Sequence, residues 1–87
     1  MGSYSLSIKP SAGKELTDLG SKADRQRIVG RIQSLASDPR PHGSEKLAGF
    51  ETRYRILQGN FRVVYEINDK KREVTVYKVG HRKDVYR

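Results

Sequence analysis

The chain is 87 residues long, enough for one domain and near the size at which a single core only just suffices. It has no cysteine, which excludes a disulfide framework and a thiolate metal site, and no apolar run nears the roughly 20 residues that span a bilayer. The net charge is +8, unevenly spread: residues 1–45 carry seven cations and five acids, residues 46–87 eleven and five. A cationic second half points to a polyanionic partner (RNA, DNA or an acidic protein) rather than a membrane surface, because no amphipathic helix carries the excess. Met1-Gly2-Ser3-Tyr4 lacks the cationic and apolar regions of a signal peptide, so the expected location is cytoplasmic.

Tyr4, Leu6 and Ile8 alternate with Ser5 and Ser7, the pattern of a half-buried strand ended by Lys9-Pro10. Pro10 suits the first position of a helix, and Ala12, Leu16 and Leu19 recur at helical spacing before Gly20 supplies a stop. Ser21-Lys22-Ala23-Asp24 resembles a capping box that opens a second helix. Its apolar stripe is Ile28, Ile32, Leu35 and Ala36, and it ends before Asp38-Pro39. The two helices are expected as an antiparallel pair that needs a sheet to bury against. Residues 39–44 form the one loop-like stretch.

The rest has the period of β-structure. Three runs, Arg53–Leu57, Phe61–Ile67 and Glu73–Val79, are separated by turn residues and predict an antiparallel meander. The fold class is therefore α+β: one domain over 1–87, two N-terminal helices packed on one face of a small, mainly antiparallel β-sheet.

Period-2 bookkeeping assigns the side chains to faces. Phe61, Val63, Tyr65 and Ile67, with Tyr54 and Ile56 of the preceding run, pack under the helices. Arg62, Val64 and Glu66, with Arg53, Arg55 and Leu57, point the other way. An arginine in mid-strand is costly to bury unpaired, so Arg55 and Arg62 require solvent or an anion. Beyond the last run lies Gly80-His81-Arg82-Lys83-Asp84-Val85-Tyr86-Arg87, a histidine, cations and a tyrosine at a strand end. Those groups bind a phosphodiester, move its protons and stabilise its transition state. His81 and Arg82 are expected to fold over the helix-free face. Bland alternatives stand beside these roles: a surface histidine in a turn, an Arg82 salt bridge to Asp84 or Glu66, an Arg55–Glu66 pair, an anchoring role for Tyr86. Two histidines without helical spacing predict no metal site.

In order and spacing, Lys46-Leu47-x-Gly49, Tyr54-Arg55-Ile56, Gly59-x-Phe61-Arg62-Val63-Val64-Tyr65-Glu66-Ile67 and Val79-Gly80-His81-Arg82-Lys83-Asp84-Val85-Tyr86 resemble the RelE branch of the RelE/ParE toxin superfamily. These are bacterial and archaeal toxins of toxin–antitoxin pairs. The resemblance implies a metal- and cofactor-independent endoribonuclease that enters the A site of the 70S ribosome, against 16S rRNA, and cuts the mRNA codon there. Cleavage would proceed by attack of the ribose 2′-OH on the adjacent phosphorus. Arg62 and Arg82 match arginines that hold the scissile phosphate, and Tyr86 matches a C-terminal tyrosine credited with stacking or proton transfer. Arg55 matches a basic position of the same face, and Lys46 and Lys83 join it as RNA-contacting candidates.

Two positions depart from the family pattern. Leu57 stands where some members carry a second lysine, and His81 where some have lysine. Imidazole exchanges protons near neutral pH, which makes His81 a candidate replacement for the lost group. With one residue after Tyr86, no extension is expected over the site. The implied partner is an acidic antitoxin, helical when bound, that also represses the operon of the pair. The superfamily holds a second function class, ParE-like inhibitors of DNA gyrase without nuclease activity, which need no such constellation.

Overall fold

The computed structural model describes residues 3–83. The strand expected from Tyr4, Leu6 and Ile8 is β1 (Ser5–Ile8), and helix α1 (Pro10–Thr17) follows with Pro10 at its first turn. Helix α1 ends earlier than its apolar spacing implied: Asp18 is the C-cap and Leu19 lies in the turn beyond, its N–H donating to the Leu16 carbonyl at 3.3 Å. Ser21 caps helix α2 (Lys22–Ser34) by accepting the Asp24 N–H at 3.2 Å. Half of a capping box forms; the Asp24 carboxylate turns to Arg27 instead, at 3.4 Å.

The loop expected after α2 runs from that helix to a further strand. A short β2 (Glu45–Lys46), absent from the sequence reading, pairs antiparallel with β3 (Arg53–Gln58). Then come β4 (Phe61–Asn68) and β5 (Glu73–His81), the predicted meander. Gly59-Asn60 joins β3 to β4 in a two-residue turn with φ +60° at Gly59, the first-position glycine of a II′ hairpin. The sheet order is β1-β5-β4-β3-β2, and β1 joins β5 in parallel.

One face of this sheet is the core. Ala12 and Leu16 of α1 and Ile28, Ile32 and Leu35 of α2 close over Ile56, Phe61, Val63, Tyr65, Ile67, Val74, Val76 and Val79. Helix α1 lies on β5, and α2 spans β3 and β4, so each helix finds its burial on the sheet. Tyr65 is the largest buried side chain; its hydroxyl donates to the Pro39 carbonyl at 2.8 Å, and burial pushes its pKa up to about 12. Ile8 is the exception to the alternation of β1, 42% exposed at the sheet edge.

Polar groups tie the edges to this core. Arg40 lies over the Tyr54 ring, donates to the Tyr54 hydroxyl at 3.2 Å and holds Asp69 in a fork at 2.8 and 3.2 Å. The Tyr4 hydroxyl donates to the same carboxylate at 2.6 Å. Arg40 and then Tyr4 hold the Asp69 carboxyl down to about 2.

Candidate functional site

The uncovered face is set by the same alternation that builds the core. Cross-strand pairing puts Arg53 opposite Glu66, Arg55 opposite Val64 and Leu57 opposite Arg62. Partners in an antiparallel ladder project to one side, so all six lie on the face without helices. Val64 is buried although it belongs to this side, and Leu57 is half-buried. The face is an apolar floor with guanidinium groups around it.

A β-bulge decides what the end of β5 adds. Val64 pairs with Lys78, whereas Tyr65 pairs with Val76, which leaves Tyr77 as an extra residue in β5. One inserted residue inverts the phase of everything after it. Val79 therefore faces the core, three residues after Val76, and Gly80 lies opposite Arg62. Glycine puts no side chain beside that guanidinium. The Arg82 N–H continues the ladder to the Asn60 carbonyl at 2.8 Å, in phase with Gly80 and Arg62.

His81 takes the other side. It pairs with Phe61, and the two rings sit 4.8 Å apart by centroid. This corrects the expectation for His81, which the bulge turns to the rim of the core face, while the Arg82 backbone continues in phase with Arg62. Lys46 is likewise opposite Tyr54, on the core side of the edge strand, apart from the arginines. Lys83 is exposed in the turn after β5, and Tyr86 lies outside the described residues.

Arg55, 22% exposed in its side chain, forms a 2.6 Å ion pair with Glu45 of β2, its neighbour in register, rather than with Glu66. Glu66 instead accepts from Thr52 at 3.0 Å and from the Tyr77 hydroxyl at 3.3 Å, with Arg53 at 3.9 Å. Two features escaped the sequence reading. Glu15 of α1 occupies the edge of β5 beyond the end of β1, accepting the Val79 N–H at 2.9 Å and Lys78 at 2.8 Å. It anchors the strand just before Gly80. The Arg53 guanidinium meets two aromatic rings, Tyr77 at 4.2 Å and Phe50 at 4.9 Å from their centroids. The spacing Val74, Val76, Val79 is the one sequence signal that marked the bulge. Among the described residues no three His, Asp or Glu side chains cluster as a metal site would need, and no helix is long and apolar enough to cross a membrane.

Residues 6–86 match the family model for the ParE toxin of the type II toxin–antitoxin system parDE. No curated protein sequence matches the chain. Among solved structures, the archaeal RelE–RelB complex of Pyrococcus horikoshii is similar at 27% identity and a TM-score of 0.83, over 95% of this chain and 99% of that one. The intact E. coli RelBE toxin–antitoxin complex is similar at 31% identity and 0.76, over 93% and 99%. The YoeB dimer of Staphylococcus aureus shares the fold at 16% identity and 0.72, over 92% and 98%. Family match and fold agree with the motifs of the strands and the tail: the chain belongs to the RelE/ParE superfamily of type II toxin–antitoxin toxins, and within it to the RelE type.

Proposed function

We propose that this chain stops translation as a ribosome-dependent endoribonuclease that cuts mRNA in the A site. The observation that supports this reading is the helix-free face of Arg62, with Gly80 opposite it and Val64 as its floor, and the Arg82 backbone following in the same phase. In the proposed reaction the ribose 2′-oxygen bonds to the adjacent phosphorus and the bond to the 5′-oxygen breaks. The products are a 2′,3′-cyclic phosphate and a 5′-OH. Negative charge grows on the non-bridging oxygens, and planar guanidinium forks stabilise it. Arg55 adds a further cation to this face, once RNA phosphate displaces Glu45. Lys83 reaches RNA from the rim, and Lys46, on the far side of the edge, suits 16S rRNA.

One proton must leave the 2′-OH and one must reach the 5′-oxygen. His81 and Tyr86 are the proton-transfer candidates. His81 acts only if its ring leaves Phe61 and swings round the strand end. The ribosome supplies the in-line ordering of the substrate, a large term that a domain of this size does not provide alone. The site of action is then the cytoplasm.

The partner is an acidic antitoxin. Its support is the net charge of +8 and the RelE–RelB complexes in which the P. horikoshii and E. coli relatives occur.

Primer extension on one defined mRNA, with and without programmed ribosomes, tests the proposal. Cuts at the A-site codon that need ribosomes are expected. The alternative within the superfamily is a DNA gyrase inhibitor without nuclease activity. Growth arrest without any mRNA cut, together with inhibited supercoiling by gyrase, would select it.

A further inference from the structure

Phe50 is one of two large apolar side chains exposed among the described residues, 48% open to solvent. Its position is built rather than incidental. Leu47 to Phe50 is a tight turn closed by the Phe50 N–H on the Leu47 carbonyl at 3.3 Å. Gly49 has φ +83°, the left-handed third position of a type II turn. On either side the loop is tied to the sheet: the Leu47 N–H donates to the Arg53 carbonyl at 2.8 Å, and the Thr52 carbonyl accepts the Ile67 N–H at 2.9 Å.

The ring belongs to a row of alternating cations and aromatics. Arg53 meets both Phe50 and Tyr77, and Lys9 lies 5.3 Å from the Tyr77 centroid. Such stacking lowers the freedom of each group and spreads positive charge over the rings. The row lies on the helix-free face, since Arg53 pairs with Glu66 across the sheet and the Tyr77 hydroxyl donates to the same Glu66 at 3.3 Å. Glu66 stands four residues along β4 from Arg62, a reach of about 13 Å at the usual strand rise. Cations beside a half-exposed aromatic are how proteins hold single strands, phosphates on the cations and bases on the ring faces, and here Glu66 is engaged by Thr52, Tyr77 and Arg53.

We propose that Phe50, braced by Arg53 and Tyr77, is a stacking platform for an unpaired base of the RNA strand whose phosphate lies on Arg62 and Arg82. The platform rests on the proposed function, and it fixes which end of the face receives the strand away from the cut. It reads no base identity, because every base offers a π-face.

The chain contains no tryptophan, so Phe50→Trp introduces a single indole at the site. A mixed-sequence 12-nucleotide RNA is titrated into this variant as a single strand and as a duplex, with polyglutamate as an acidic polypeptide control. The single strand is expected to quench the indole, and neither the duplex nor polyglutamate should do so. Phe50→Ala should weaken single-strand binding about fivefold or more, with an unchanged salt slope. Arg62→Ala should lower that slope by about 0.7, as the loss of one phosphate contact does. Absence of quenching by the single strand overturns the platform. So does equal quenching by the duplex, or quenching by polyglutamate alone, which would make the patch a protein-binding site. Cutting on programmed ribosomes by the unmodified chain is scored separately and decides whether the nuclease reading survives such a result.

Discussion

The two faces of one sheet divide the work of this molecule. Under the helices, β4 contributes Phe61, Val63, Tyr65 and Ile67, all buried in the main core. On the reverse, the same strand contributes Arg62, Val64 and Glu66. The period of two lets eight residues serve both faces, because neighbours along the strand never share a side. The core face tolerates no charge, and no charged side chain of the described residues is buried. The open face holds Arg53, Arg55 and Arg62 partly exposed, at positions fixed by the strand register. Stability and chemistry should thus be separable by substitution, residue by residue.

The largest effect is expected from the core side. Ile56→Ala, at a fully buried position, should cost about 2–5 kcal/mol of folding stability in chemical denaturation. The rate of cutting per folded molecule should not change. A loss of rate at full folding would break the separation of the faces.

His81→Ala sharpens the comparison at the rim. A positioned proton-transfer group contributes about 10²–10⁴ in rate. A ring held against Phe61 on the far side should contribute less than about tenfold. Single-turnover cutting on programmed ribosomes measures it, and a hundredfold loss would mean that the imidazole crosses to the arginine face.

Tyr65→Phe removes the buried hydroxyl that donates to Pro39 and should cost about 1 kcal/mol in thermal or urea unfolding. A neutral result would mean that the Pro39 carbonyl finds another donor.

The smallest effect belongs to the edge pin, and it disappears in acid. The folded carboxyl of Asp69 sits near 2, below the ordinary value near 4 of an unfolded chain. Its contribution is therefore full above about pH 4 and is lost as pH falls through about 2. Asp69→Asn should remove that contribution at neutral pH and flatten the pH dependence of stability in that window, so that the two chains converge below about pH 2.

The central strands and their faces were legible because alternation is local: Phe61 to Ile67 carries its own assignment, and so do the Ser21 cap and Pro10. What escaped depends on distant or inserted residues. The parallel pairing of β1 with β5 joins residues more than sixty positions apart, and nothing in Ser5–Ile8 names its partner. Strand β2 is two residues long and carries no periodicity. The bulge at Tyr77 adds one residue and thereby exchanges the faces of His81 and Arg82, a step invisible to a count that assumes an unbroken period. The Arg55–Glu45 pair followed from β2 and was missed with it. Arg55 and Arg62 were therefore readable from strand phase, while the places of His81 and Arg82 beyond the bulge were not.

The most direct test of the two-face account pairs two measurements on one variant, Arg62→Ala/Arg82→Ala. Thermal unfolding should match that of the unmodified chain within a few degrees, about the shift of 1 kcal/mol or less. Primer extension with programmed ribosomes should show cutting reduced by at least about 10²–10³, the usual loss for one removed transition-state donor. Full cutting by a folded double variant would contradict the account, and so would a variant that loses activity only because it no longer folds.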